Sequence, residues 1–230
     1  SEVFYLQVRS TSTTLVAVEG MEPRQAERLD RTVDLLVIVY AAFMLWVCAA
    51  GMQDYATSRS RLSAMFSVFQ GTHLVYGLAV LGYAAPLAPE SLPTAADWLT
   101  ILAIIAAPFS FTLFSRELLR PYAPPRALAL GIDVLVLITP VLLGLLAAGH
   151  VRTALAINAV LIVGSRWYFV LVSAHLHEEL VPGRRFVRVV YLVTALTVTV
   201  LLVPTLGLPK RSEEHTSELQ SRLHLVCRLL

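Results

Sequence analysis

The sequence carries little charge. Only 15% of its 230 residues are Asp, Glu, Lys or Arg, and the formal net charge is +2, whereas soluble domains carry roughly 25% charged residues. Basic residues are not clustered among aromatic ones, as they are in many nucleic-acid interfaces. We therefore expect no nucleic-acid partner.

Cysteine and enzyme motifs are also scarce. The two cysteines, Cys48 and Cys227, lie in an apolar block and in a polar tail respectively, so no disulfide framework is predicted. The chain contains no Walker loop, dinucleotide fingerprint or CxxC pair, and GSRWY at 164–168 lacks the context of a nucleophile elbow. We expect no catalytic residues, no cofactor and no enzyme activity in this chain.

Apolar residues, in contrast, make up 57% of the chain, and the mean hydropathy is +0.69. They fall in blocks of about 18–24 residues separated by short breaks, and a membrane-spanning helix needs about 20 apolar residues. Helices are favoured because lipid offers no hydrogen-bond partner to backbone amides. The sequence predicts an all-α membrane protein, a polytopic helical bundle in a lipid bilayer, with six spans at 33–51, 62–84, 98–115, 127–148, 153–174 and 187–206.

Arginine is concentrated in alternate connections between these spans. The first, third and fifth loops contain Arg59, Arg61, Arg116, Arg120, Arg126, Arg184, Arg185 and Arg188. The opposite side has fewer basic residues, namely Arg24, Arg28, Arg31, Arg152 and Lys210. Because cytoplasmic loops retain positive charge, this asymmetry predicts a multi-pass protein with its N-terminus outside the cell.

The segment before the first span has a different pattern. Phe4, Leu6 and Val8 alternate with Tyr5, Gln7 and Arg9, which is the period of a half-buried strand. Residues 10–13 could form a turn that leads into a returning strand. A lone hairpin is marginally stable, so we interpret 1–19 as the remnant of an extracytoplasmic β-domain. A disordered polar leader is the alternative. Residues 20–32 are interpreted as a polar connector to the bundle at 33–209, and within it 21–32 could form a short polar helix.

The chain closes with RSEEHTSELQSRLHLVCRLL. With one choice of codons, residues 211–221 match the in-frame translation of a common short-read sequencing adapter. We therefore interpret 210–230 as an artefactual tail and expect the natural protein to extend beyond this window at both ends. The alternatives are an amphipathic helix or a metal site formed by His215, His224 and Cys227.

Three stretches and their order resemble one family of membrane receptors. FYLQVRSTSTTLVAV resembles the closing strands of the extracytoplasmic jelly roll in bacterial seven-transmembrane receptors with diverse intracellular signalling modules (7TMR-DISM). QDYATSRSRLSAMFSVFQGTHLVYGLAVLGY resembles the family's first inner loop and second span, and FTLFSRELLRPYAPPRAL resembles the end of its third span. The resemblance covers about residues 3–209. The aromatic-Asn pair typical of the first span is replaced here by AAFMLWVCAAG.

The resemblance implies a transmembrane sensor region in the bacterial inner (cytoplasmic) membrane. It would couple an unknown extracytoplasmic ligand to a cyclase, kinase or phosphatase module that lies outside this chain, and it would act as a homodimer. The alternative is a small multi-span transporter or channel, with His73, Asp133 and Arg166 lining a path. A third reading is an integral-membrane enzyme.

Charged residues inside the spans are the first site candidates, because burying a charge in lipid is costly. Asp133 and Arg166 both lie roughly 10–12 Å from the inner ends of their predicted spans, at 1.5 Å per residue. We predict that they form an intramembrane pair between adjacent antiparallel helices. Separate contacts with water or backbone are the alternative.

Histidines supply the remaining candidates. His73 lies within the second span and is interpreted as a polar packing residue, with a proton relay as the alternative. HLHEEL forms a polar cluster at the inner membrane edge (His175, His177, Glu178 and Glu179). It lacks the HExxH spacing of zinc hydrolases, so we interpret the cluster as a solvated cap and predict no metal site.

Overall fold

The computed structural model describes residues 23–83, 94–176 and 183–202. Over these ranges the chain forms six α-helices and no strand, so the helical class is confirmed for the described part. The helices are α1 (Pro23–Ser58), α2 (Arg61–Val80), α3 (Ala95–Leu119), α4 (Arg126–Ala147), α5 (Val151–Ala174) and α6 (Arg184–Leu202). The predicted hairpin at 1–19 and the tail at 210–230 lie outside the described residues.

Each of the six helices overlaps one predicted span. Only five of them, however, are long and apolar enough to cross a membrane. The chain is thus a multi-pass helical membrane protein by the length and composition of α1, α3, α4, α5 and α6. The exception is α2, whose sequence includes Ser63, Ser67, Gln70, Thr72 and His73.

The helix α1 is longer than its predicted span. It continues without a break through residues 23–32, which are part of the predicted connector, and reaches Ser58. Its 36 residues correspond to about 54 Å at 1.5 Å per residue, against a hydrocarbon core of roughly 30 Å. A single helix longer than the hydrocarbon core is thick therefore leads into the bundle.

Only Arg59 and Ser60 separate α1 from α2, so the two helices form an antiparallel hairpin. Small residues line its interface: Ser63 bonds to Asp54, and the Cys48 thiol donates to the carbonyl of Ser67 at 3.5 Å. Small side chains let two helix backbones approach closely in a membrane. The polar residues that make α2 less apolar thus include ones that face α1.

The hairpin is also joined near its other end. The Tyr40 hydroxyl donates a 3.1 Å hydrogen bond to the His73 carbonyl, and the Tyr83 hydroxyl donates to the Asp34 carboxylate. Contacts between α1 and α2 therefore run along most of the length of α2.

Two helices end in the same way, with a left-handed glycine. Gly82 (φ +86°) follows α2 and Gly149 (φ +82°) follows α4. In each case the backbone N–H of the residue after the glycine donates a hydrogen bond to the carbonyl five positions earlier, Tyr83 to Leu78 and His150 to Leu145. This is the Schellman arrangement, which satisfies carbonyls at a helix end.

The central helix is α3, which packs against α2, α4 and α5. Two core clusters follow its length. One joins Ile101 and Ile105 of α3 to Leu142, Leu146 and Ala154. The other, near the arginine-rich end, contains Phe111, Leu119, Tyr122, Ile132, Phe169, Val172, Leu176, Val187 and Tyr191.

Large apolar side chains cover the outer surfaces of the peripheral helices. Trp46 on α1, Leu137 on α4 and Phe186 on α6 are among the most exposed. Buried positions include several serines and Asn158. A soluble bundle would place apolar groups inside and polar ones outside, so this distribution fits a lipid environment.

The fold yields one stability prediction, for the α1–α2 contact. A methyl group at Gly77 would lie 2.7 Å from the Tyr40 hydroxyl oxygen, so Gly77→Ala should force the tyrosine aside and lower stability by about 1–3 kcal/mol. The measurement is the melting temperature of the purified protein in detergent.

The matched control is Gly144→Ala in α4, where an added methyl group meets nothing within 4 Å. This change should be neutral or stabilising by about 0.5–1 kcal/mol, because alanine favours the helix over glycine. Equal melting temperatures for the two variants would contradict the close approach of Tyr40 to Gly77.

Candidate functional site

The predicted pairing of Asp133 with Arg166 is wrong for this structure. Asp133 instead forms an ion pair with Arg116 of α3, with Nη2 and Oδ1 2.8 Å apart and both side chains about half exposed. This pair ties the end of α3 to the first turns of α4 across the short Arg120–Tyr122 turn.

The direction in which the Arg166 side chain leaves α5 explains why it does not pair with Asp133. Tyr168 faces α4, because its hydroxyl donates a 2.7 Å hydrogen bond to the Leu128 carbonyl. Arg166 precedes Tyr168 by two residues, and each residue turns an α-helix by about 100°. Its side chain therefore lies on nearly the opposite side of α5, away from Asp133, although the sequence predicts a similar depth for the two residues.

Arg166 points into the interior of the bundle, between α3, α5 and α6. It is 6% exposed, and its guanidinium carbon lies 3.2 Å from the ring centre of Phe111. Its Nε and Nη1 atoms are buried and have no hydrogen-bond partner. Within the described residues, this is a buried cation without an acidic partner.

Two buried hydroxyl groups accompany it. Ser115 of α3 and Tyr191 of α6 are 0% and 3% exposed, and neither hydroxyl makes a hydrogen bond of normal geometry. Tyr191 lies near both Ser115 and Arg166, and its ring centre is 6.1 Å from that of Phe111. We call Phe111, Ser115, Arg166 and Tyr191 the Arg166 cluster.

The aromatic contact does not compensate for burying the charge. A desolvated cation–π interaction contributes about 2 kcal/mol, whereas removing an ion from water costs several kcal/mol even after relaxation. Part of that cost is that Nε and Nη1 of Arg166, which carry three N–H groups between them, have no acceptor. The Arg166 cluster is therefore an energetically unfavourable part of an otherwise well-packed core.

His73 lies beside this cluster, on α2. Its Nδ1 is 3.0 Å from the Phe69 carbonyl oxygen of its own helix, and its ring packs against Phe69 with ring centres 4.3 Å apart. The Phe69 ring is in turn 5.7 Å from the ring of Phe111, centre to centre. His73 is thus connected to the Arg166 cluster through Phe69, whereas Asp133 pairs with Arg116.

The inner-edge cluster is only partly described. His175 is exposed, and its Nδ1 lies 3.0 Å from the Leu171 carbonyl oxygen, so it interacts with the last turn of α5. His177, Glu178 and Glu179 lie outside the described residues. In the described ranges, no three His, Cys, Asp or Glu side chains come together as a metal-binding group.

A further polar contact, in the middle of α3, was not anticipated from the sequence. Pro108 has no N–H, so the carbonyl of Ile104, four residues earlier, loses its helical partner. Asn158 of α5 supplies the missing donor, with its Nδ2 3.1 Å from that oxygen. A proline within an apolar span signals such a free carbonyl, but does not indicate which helix provides the donor.

A small cleft opens beside this contact. Its lining includes Pro108, Thr112, Thr139, Asn158 and Ser165. About 20 Å³ of it is open to the centres of water molecules, which is room for about one or two waters. The cleft thus accommodates solvent rather than an organic substrate.

No protein-family model, curated protein or solved structure matches this chain.

Proposed function

We propose that this chain is the transmembrane region of a bacterial signal-transduction receptor. In this proposal it couples an extracytoplasmic ligand domain to a cytoplasmic output module, and both lie outside the described residues. The observation that supports the proposal most directly is the unbroken helix α1, from Pro23 to Ser58.

The part of α1 before the membrane has the composition of a solvated helix. Residues 23–32 include Arg24, Glu27, Arg28, Asp30 and Arg31, whereas the apolar candidate span begins at Arg31. A ligand-driven shift at the start of α1 would reach the bundle as a rigid displacement, since no turn intervenes to absorb it. The hydrogen bonds to α2 would pass that displacement on to the core.

In the proposed topology, α2 is a sixth crossing. Because α1 crosses the bilayer and α2 returns beside it after a two-residue link, both ends of α2 would lie near the membrane surfaces. The alternation of antiparallel helices then puts the three arginine-rich connections at one end. We assign that end to the cytoplasm and the N-terminus to the extracytoplasmic side of the inner membrane.

The alternative of a transporter or channel has less support. Transporters commonly place broken helices around a midplane site, whereas α3 and α4 continue as helices through Pro108 and Pro140. The three residues expected to line a transport path also do not form one group, because Asp133 pairs with Arg116 and not with Arg166. We retain the homodimer as part of the receptor proposal, because paired output domains commonly act as dimers.

The test is recovery of the complete gene, followed by helix insertions in its product. We expect a cyclase, kinase or phosphatase domain to be encoded downstream of the bundle. Inserting one alanine after Asp30 rotates the extracytoplasmic part by about 100° relative to the bundle and should change ligand-dependent output severalfold.

The matched control is an insertion of four alanines at the same point. Four residues add a rotation of only about 40° beyond a full turn, so output should recover toward the wild-type response. The receptor proposal would be contradicted by a gene that ends naturally just after α6. It would also be contradicted if neither insertion changed the ligand-dependent output.

A further inference from the structure

The Arg166 cluster presents hydrogen-bond donors without acceptors. Its buried polar atoms without a partner are Nε and Nη1 of Arg166 and the hydroxyl oxygens of Ser115 and Tyr191. A guanidinium group can only donate, and each hydroxyl group has one proton to give. Among the described residues, Asp133 and Glu117 form ion pairs with Arg116 and Arg120 and not with Arg166.

We propose that the Arg166 cluster binds a small inorganic anion, with chloride as the physiological example. The anion accepts hydrogen bonds from Arg166 and from the hydroxyl groups of Ser115 and Tyr191. It neutralises the buried guanidinium from the side not occupied by the Phe111 ring. This site does not depend on the receptor role and would exist in a transporter as well.

Charge and enclosure together define the class of ligand. A water molecule could accept one of these hydrogen bonds, but it would leave the positive charge uncompensated. A phospholipid headgroup is larger, and the surrounding side chains of Ser115, Leu119 and Phe169 are fully shielded from solvent. A monatomic anion carries the compensating charge and is the smallest of these candidates.

The location of the site suggests what the anion does to the bundle. Ser115 belongs to α3, Arg166 to α5 and Tyr191 to α6, so one ion would join three helices. Phe169 packs between Phe111 and Tyr191, with ring centres 5.5 and 5.4 Å away. Anion binding should therefore hold α6 against the core and raise the thermal stability of the whole bundle.

The experiment measures the melting temperature of the purified chain in detergent as gluconate is replaced by chloride at constant ionic strength. Gluconate is too large for the enclosed site, so the comparison separates anion binding from ionic screening. The wild-type melting temperature should rise with chloride and then saturate, as expected for a ligand that binds only the folded state. Arg166→Met should abolish this rise.

Two milder variants keep the proposal testable if Arg166→Met fails to fold. Tyr191→Phe and Ser115→Ala each remove one hydroxyl donor and should raise the apparent dissociation constant for chloride about tenfold, the effect of losing one hydrogen bond to a charged group. Arg152→Met, at the exposed start of α5, is the matched control and should keep the full chloride response.

Three outcomes would overturn the proposal. They are a wild-type protein that melts at the same temperature in chloride and gluconate, a chloride response that survives Arg166→Met, and unchanged affinity in both hydroxyl variants. Stabilisation by vesicles containing phosphatidylglycerol without any response to chloride would assign the guanidinium to a lipid headgroup and would also overturn it.

Discussion

Arg166→Met is expected to stabilise the bundle by about 1–4 kcal/mol in chloride-free buffer, the range found when buried charges are replaced by well-packed apolar residues. Methionine is flexible enough to fill the space left by the arginine stem, and its sulfur can contact the Phe111 ring. The substitution also removes two buried nitrogen atoms without acceptors, Nε and Nη1. Thermal unfolding in gluconate would measure the effect.

This prediction has an unusual sign, because most core substitutions destabilise. Arg152→Met is the control, since Arg152 is exposed at the start of α5, and its replacement should change stability little. The gain from Arg166→Met should shrink in saturating chloride, where the wild-type guanidinium is neutralised. A loss of stability in chloride-free buffer would mean that Arg166 makes a favourable interaction other than its contact with Phe111.

Asn158→Leu is expected to destabilise the bundle by about 1–3 kcal/mol, the cost of leaving a buried polar group unsatisfied. Leucine has the same number and branching of side-chain heavy atoms as asparagine, and it cannot make the 3.1 Å hydrogen bond from Nδ2 to the Ile104 carbonyl. Pro108 prevents the helix from supplying a replacement donor. Thermal unfolding of the purified variant would measure the loss.

The decisive comparison is the double variant Asn158→Leu with Pro108→Ala. Alanine at 108 restores a backbone N–H four residues after Ile104, so the helix can bond that carbonyl itself and the loss should largely disappear. A double-mutant cycle should give a coupling of about 1–2 kcal/mol, within the range observed for residues that share a partner.

Thr139→Val provides a control within the same cleft and should show no coupling to Pro108→Ala. Simple additivity between Asn158→Leu and Pro108→Ala would show that Asn158 does not compensate for the proline.

The helices themselves were predictable, because their cause is local. A continuous apolar run must satisfy its backbone internally in lipid, and short polar or charged connections separate one run from the next. The predicted fourth and fifth spans, 127–148 and 153–174, agree within two residues with Arg126–Ala147 and Val151–Ala174. The sequence predicts a separate short polar helix at 21–32 before the first span, whereas the structure joins the two in one continuous helix from Pro23 to Ser58.

The polar contacts were not predictable in the same way. The sequence spacing predicts similar depths for Asp133 and Arg166, but it does not predict how α5 is rotated about its axis. That rotation places Arg166 against Phe111, and Asp133 forms its ion pair with Arg116 instead. The lower hydropathy of α2 likewise does not reveal that Ser63 and Ser67 face α1.

The sequence by itself thus determined the helical class, the membrane setting and the approximate helix ends, since hydropathy and turn chemistry act over a few neighbouring residues. Only the tertiary structure decided that Asn158 serves the carbonyl freed by Pro108 and that Arg166 lies among unpaired hydroxyl groups. Those contacts join residues at least 25 positions apart, and they are fixed by how each helix is rotated against its neighbours. An apolar run of residues carries little information about that rotation, because lipid and the bundle core are almost equally apolar.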